Sequence, residues 1–334
     1  MTQKMKGKAV IVLLSVLLLA VAVAGVGCAP QEGPAPEGQA PEGETQEEQA
    51  GGWVFATDHE YSVRPDGYPG LAELYGFEFD DVVIMDLGIT YAALKDQQVP
   101  LAMGFATDGR IAAFDLVNLV DDKQFHPVYN AAPNVLKSTL DEYPEIADIL
   151  NEVVPFLDAE TIQTLNARVD IDDNEPIDVA RDFLLEKGLI DEAPPAAEKG
   201  PVSVGSKEFT EQILLGQISI LLLENAGFNV TDNTGLGGTA LAREALVNGE
   251  IELYWEYTGT AWMSHLGHEE PLTDPEDCYE KVKEEDLQNG IVWLDYTEFD
   301  NTYTIMMRSA DAESLGITTL SDLADAINSG VSAP

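Results

Sequence analysis

The pattern of hydrophobic and polar positions divides the chain into three regions. Ala9 to Gly27 is apolar except for Ser15, and residues 29–52 contain no large apolar side chain. From Trp53 onward, short alternating runs interleave with runs of helical period. Pro201-Val-Ser-Val-Gly-Ser206 alternates as a strand. Ile213, Leu214, Ile218, Leu221 and Leu222 recur at helical spacing between Phe209 and Ala226, and Gly227 follows as a C-cap. Phe228–Thr231 is a second strand, Gly235-Leu-Gly-Gly-Thr239 opens a helix over 240–247, and Ile251, Leu253 and Trp255 alternate as a third strand. This order predicts an open, doubly wound α/β sheet. The earlier half has the same rhythm: a strand at Val82–Met85, a helix beginning at Tyr91–Leu94 and a strand at Val99–Phe105. Val135–Leu157, Ala159–Ala167 and Ile177–Lys187 are predicted to be amphipathic helices, and residues 193–200, rich in Pro and Ala, read as a linker.

Charge sharpens this picture. The 334 residues carry 60 Asp+Glu against 17 Lys+Arg, a formal net charge of −43. Such a chain lacks the clustered cations that neutralise phosphates, which excludes nucleic acid as a partner. Dense carboxylates hydrate the surface through mutual repulsion, and salt screens that repulsion, so a gain in stability at high salt is expected. At the front, Lys4, Lys6 and Lys8 precede the apolar run, and Gly25-Val26-Gly27-Cys28 follows it, so residues 1–28 read as an export signal. The cysteine after small residues resembles a lipobox, with Cys28 as the lipidation site, although Gly25 stands where that motif usually has Leu. An uncleaved membrane anchor is the alternative. Either reading places the rest at the extracytoplasmic face of the cell membrane. Residues 29–52 read as a disordered acidic tether. Cys278 is the one cysteine left, which excludes an intramolecular disulfide framework.

Catalytic patterns are missing from the sequence. It has no nucleophile elbow, no H-E-x-x-H and no P-loop, which argues against an enzyme. His59, His126, His265 and His268 are not joined into a set with metal-ligand spacing, and no cofactor is implied. Gly235-Leu-Gly-Gly lacks a phosphate-binding signature and reads as a tight turn. Trp255 and Trp262 read as packing residues.

Several stretches carry a family resemblance: Phe55-Ala-Thr-Asp-His-Glu60, Arg64-Pro-Asp-Gly67, Thr107-Asp-Gly-Arg-Ile-Ala-Ala113, Asp121-Asp-Lys-Gln-Phe125, Ala131-Ala-Pro133, Gly205-Ser-Lys-Glu-Phe-Thr-Glu-Gln212, Gly235-Leu-Gly-Gly-Thr239, Glu256-Tyr-Thr-Gly-Thr260 and Phe299-Asp-Asn-Thr-Tyr303. Together they are spread over nearly the whole of residues 53–334. The chain resembles the glycine betaine/choline-binding proteins of ABC importers, but with its halves exchanged: the stretch beginning at Val202 comes first in the family, and that beginning at Trp53 follows. The resemblance implies a two-lobed, type II-like periplasmic-binding-protein fold, circularly permuted, with residues 193–200 joining the old ends. A tandem protein that has lost both outer halves is the alternative. The first lobe is expected at about 108–192 plus 201–297, and the second at about 298–334 plus 53–107, with a hinge between them.

The resemblance also implies a function and a site. The function is capture of glycine betaine or a related quaternary-ammonium osmolyte, delivered to an ABC permease and its ATPase; choline binding, or ligand sensing without transport, is the alternative. A quaternary ammonium has no N–H to donate, so aromatic faces suit it better than a carboxylate does. By the resemblance, Tyr91, Tyr257 and Tyr303 line the cage. Phe114 is expected as the fourth wall, with Phe105 the runner-up, where the family usually has Tyr. Lys207, Arg64 and Thr260 match polar contacts for a ligand carboxylate, and Asn301 is expected to orient the ligand.

Overall fold

The computed structural model describes residues 51–334. The expected export signal, Cys28 and the expected tether up to residue 50 lie outside the described residues. Among the described residues ten strands form: β1 (Val54–Thr57), β2 (Asp81–Ile84), β3 (Leu101–Phe105), β4 (Leu116–Asn118), β5 (Ala131–Leu136), β6 (Lys199–Gly205), β7 (Phe228–Asn233), β8 (Leu253–Tyr257), β9 (Ile291–Trp293) and β10 (Tyr303–Arg308). They build two five-stranded sheets, ordered β2-β1-β3-β10-β4 and β7-β6-β8-β5-β9. In each sheet, three parallel strands are followed by an antiparallel strand donated by the other half of the chain: β10 beside β3, and β5 beside β8. The two halves therefore fold into each other.

The expected βα rhythm is present. Thr210–Asn225 is the central helix, apolar on almost every face, and it packs against the helices Ala159–Asp170 and Pro176–Lys187 as well as β7. Local chemistry sets the ends of several helices. The Asp58 carboxylate accepts the Tyr61 N–H at 2.7 Å and starts the helix His59–Val63. Thr319 and Asp322 form a capping box for Leu320–Asn328. Cys278 is fully buried, as are Trp255 and most of Trp262. Among the described residues, no helix is long and apolar enough to cross a membrane.

Two expectations are corrected. Val135–Leu157 is not one helical segment. Ala131–Leu136 is β5, buried on both faces, so its apolar run carries no period-two alternation. Short helices follow at Lys137–Glu142 and Glu145–Asn151, separated by Pro144, which has no N–H for an α-helical bond. The lobe boundary at residue 108 is also displaced. Arg110–Ala113 and β4 stay with the second lobe, because β4 pairs with β10 through Met306–Arg308. The chain crosses between lobes over 119–130 and again over 294–302. The crossing segments run antiparallel as a hinge: Asn130 bridges Asp300, the Asn301 N–H donates to the Tyr129 carbonyl at 3.1 Å, and the Tyr129 N–H donates to the Asp300 carboxylate at 2.8 Å. The two ends of the described chain also meet in the second lobe, where Gly51 pairs with Ala333 and the Trp53 indole donates to the Val331 carbonyl at 2.8 Å.

Candidate functional site

The C-terminal ends of β1 and β3 from the second lobe, and of β6 and β8 from the first, open into one cleft beside the hinge. Its volume is about 1080 Å³. Ligand sites in open α/β folds lie at the carboxyl ends of strands, because loops and helix N-termini gather there. Of the residues expected at the site, Tyr257, Tyr303, Lys207, Arg64, Thr260 and Asn301 line this cleft, although they come from positions 64 to 303 of the chain.

Tyr91 and Phe114 do not line it. Tyr91 is fully buried on the inner face of the helix Leu87–Lys95, where its hydroxyl accepts the Phe105 N–H at 2.8 Å. The Arg110 guanidinium stands 4.3 Å over the Tyr91 ring and is itself held by Asp108 and Asp170. Gly104 permits this packing, since a Cβ there would meet the Tyr91 hydroxyl at 2.7 Å. Phe114 closes the helix Arg110–Ala113 and lies under the Lys95 ammonium, 4.4 Å from its ring centre, packed on the same small core as Tyr91. Phe105, the runner-up for the fourth wall, does line the cleft and stacks on Phe209 with ring centres 5.1 Å apart.

The cleft also holds residues that sequence reasoning missed. Tyr129, on the hinge, lines it and meets Tyr303 edge to face at 5.3 Å. Its signal was its place two residues before the Ala131-Ala-Pro133 stretch. Phe209 lies within the Gly205–Gln212 stretch and runs nearly parallel to Tyr257, 6.3 Å away. Five rings thus converge: Phe105, Tyr129, Phe209, Tyr257 and Tyr303.

Charge in the cleft is arranged differently from expectation. Arg64 already grips Asp66 through two nitrogens at 2.8 and 2.6 Å, and it bonds Glu60 at 2.9 Å. Lys207 is bonded to the buried Glu256 at 2.6 Å and to the Thr239 hydroxyl at 3.0 Å. Both cations also stand near aromatic faces, Arg64 at 5.5 Å from the Tyr303 ring centre and Lys207 at 5.2 Å from that of Tyr257. Burial pushes the Glu256 carboxyl up, but Lys207 and His265 outweigh it and hold the group well below the usual glutamate range. Glu60 is likewise lowered against its burial, by Lys207, the Thr239 side and Arg64. Asp58 differs: burial pushes it up to about 6, and it has no ion-pair partner among the described residues. Five carboxylate side chains (Asp58, Glu60, Asp86, Asp170, Glu208) and three lysine or arginine cations (Arg64, Arg110, Lys207) line the cleft. The excess is negative, and it surrounds aromatic rings. Such a site attracts a cation whose charge is spread over apolar surface.

Residues 45–186 and 200–333 match the family described as the substrate binding domain of an ABC-type glycine betaine transport system. The chain belongs to this family. A glycine-betaine-binding protein of Pseudomonas aeruginosa is 46% identical over 141 residues, covering 42% of this chain and 45% of the relative. A carnitine transport binding protein of Listeria monocytogenes is 37% identical over 126 residues, covering 38% of this chain and 41% of the relative. A chemotactic signal transduction system substrate-binding protein of Halobacterium salinarum is 35% identical over 132 residues, covering 38% and 40%. Each alignment spans less than half the length of the curated relative it matches.

Proposed function

We propose that this chain is an extracytoplasmic solute-binding protein that captures glycine betaine or a related quaternary-ammonium osmolyte and presents it to an ABC permease. The observation that carries the reading is the convergence of five aromatic rings from both lobes and the hinge in one cleft with surplus carboxylate charge. In this proposal Tyr257, Tyr303, Tyr129, Phe105 and Phe209 surround the ammonium methyls. Asn301 and Thr260 orient the polar end. Lys207 and Arg64 act on a ligand carboxylate through the N–H groups their resident partners leave free. The cleft mouth opens and closes by bending at 119–130 and 294–302.

We read the order of the halves as a circular permutation of a single domain, linked through 193–200. Both sheets mix strands from both halves, and the family match breaks between residues 186 and 200. The proposed anchor is lipid on Cys28, which tethers the domain to the outer face of the membrane through residues 29–52. A second reading, ligand sensing, draws support from the Halobacterium salinarum relative named for chemotactic signalling.

Titration calorimetry with glycine betaine, choline, proline betaine and carnitine tests the function. Binding of at least one below millimolar concentration is expected, and Tyr257→Ala should weaken it by about 2 kcal/mol, roughly thirtyfold. If none of the four binds, the cage proposal fails.

A further inference from the structure

Beneath the rings, at the junction of the lobes, lies a carboxyl group with no cation bonded to it among the described residues. Glu211 is 3% exposed. Its Oε1 lies 2.7 Å from the Tyr257 hydroxyl and 2.8 Å from Asn301 Nδ2. Its Oε2 lies 2.6 Å from Thr107 Oγ1 and 3.2 Å from Asn166 Nδ2. Thr107 follows β3 in the second lobe, Asn301 sits on the hinge, and Tyr257 and Asn166 belong to the first lobe. The nearby cations of the cleft, Arg110 and Lys207, are bonded to Asp108 and Glu256 instead.

Counting protons decides the state of this group. Thr107 Oγ1 is also 2.7 Å from Asn301 Oδ1. A hydroxyl has one hydrogen to give. If Glu211 were ionised, Thr107 could satisfy either Glu211 or Asn301, and the other contact would be two oxygens at hydrogen-bond distance with no proton between them. Turning the Asn301 amide over moves the conflict without removing it, because the Asn301 oxygen would then face Glu211 Oε1 at 2.8 Å. One proton on Glu211 resolves both orientations. In the first, Glu211 donates to Thr107 and Thr107 donates to Asn301. In the second, Glu211 donates to Asn301 and Thr107 donates to Glu211.

We infer that Glu211 is held as the neutral acid and is a positioning residue of the binding site, fixing Tyr257 and Asn301 from below and joining the two lobes at the hinge. Its burial favours the uncharged form and pushes the carboxyl above its ordinary range, against the opposing hydrogen bonds. The titratable and charged groups around it are the Tyr257 hydroxyl on β8, Asp108 and Arg110 after β3, and Asp170 on the helix Ala159–Asp170. Arg110 ties Asp108 to Asp170. Ionising Glu211 therefore places an unpaired charge in the junction and breaks the chain of bonds that orients the two cleft residues.

The experiment compares the full-length chain with Glu211→Gln and Glu211→Ala, and its binding readout rests on the proposed quaternary-ammonium ligand. The Gln amide donates to Thr107 as the acid does and loses only the longer bond from Asn166. At pH 7, Glu211→Gln should bind glycine betaine or choline within about threefold of the parent. Glu211→Ala, which takes a hydrogen-bond partner away from each of the four polar groups bonded to Glu211, should bind at least tenfold more weakly. Asp58 titrates in both proteins, so the ratio of parent affinity to Glu211→Gln affinity is the readout, and it should fall as pH rises from 5 to 9. Infrared spectroscopy should show a protonated-carboxyl band that Glu211→Gln lacks. The inference is overturned if Glu211→Gln loses as much affinity as Glu211→Ala, if its pH profile matches the parent's, or if no such band is found. If no quaternary ammonium binds the parent, the ligand reading and the positioning role both fall, while the infrared band still decides whether Glu211 carries the proton.

Discussion

Replacing Lys207 with Met removes a buried charge while keeping most of the side-chain volume. Lys207 is 3% exposed and Glu256 is fully buried, with 2.6 Å between Nζ and Oε1. Glu256 keeps three other partners: the Tyr254 hydroxyl at 2.8 Å, the Tyr257 N–H at 2.7 Å and His265 Nε2 at 2.9 Å. Losing one member of a buried pair costs about 3–5 kcal/mol, because the remaining charge is left uncompensated. The three remaining partners place this case at the low end, about 3 kcal/mol, which is a fall of roughly 6–12 °C in melting temperature for a protein of this size. The double variant Lys207→Met/Glu256→Gln removes the stranded charge and should recover all but about 1 kcal/mol. Urea unfolding without ligand, followed by tryptophan fluorescence, measures both. The pH dependence supplies a sign. Glu256 titrates below its unfolded value of 4.5, so the stability it contributes is present above that value and is lost as pH falls through the folded pKa. Without Lys207 that folded pKa rises toward 4.5, so the acid-dependent loss of stability should be smaller and should be complete at a higher pH. The reasoning fails if Lys207→Met costs less than about 1 kcal/mol, or if the double variant is no more stable than the single one.

Other substitutions separate the cleft from the core. Tyr303→Ala should weaken quaternary-ammonium binding by about 2 kcal/mol in calorimetry, whereas Phe114→Ala should leave affinity within about twofold. Tyr91→Phe should also spare affinity, yet lower stability by about 1–3 kcal/mol in urea, because it leaves the Phe105 N–H without its acceptor. Asp58 has its carboxyl raised to about 6, so the folded state holds its proton more tightly than the unfolded one. Its contribution to stability should fall as pH rises from about 4 through about 6, and thermal melts of Asp58→Asn should show that slope removed. At neutral pH the same variant should weaken choline more than glycine betaine, since only choline is a net cation. With a net charge of −43, the protein should melt at a higher temperature in about 2 M salt than at low salt, and an unchanged melting temperature would refute the screening argument.

Much of the fold was legible because its signals are local. The strand at 201–206, the helix after Phe209 and the strand ending near Tyr257 follow from spacing between neighbours in the chain. The helix expected over Val135–Leu157 was misread because β5 is covered on both faces and has no alternation to display. The lobe boundary was misplaced because nothing near residue 108 announces that β4 will pair with β10, nearly two hundred residues away.

The candidate site divides along the same line. By itself the sequence determined the residue types: aromatic rings, an arginine and a lysine within stretches that resemble a known binding family, and an acidic excess. Only the tertiary structure decided which rings face the cleft. The resemblance implied both Tyr91 and Tyr303 as cage walls, but Arg110 closes over one while the other opens into the cleft. It also decided that Arg64 and Lys207 already have carboxylate partners, and that Glu211, one of 60 acidic residues, is the one buried beneath Tyr257. The physical reason is that burial and pairing belong to segments brought together across a hinge. Charge state and exposure depend on those distant partners, and the pattern of neighbours along the chain does not record them.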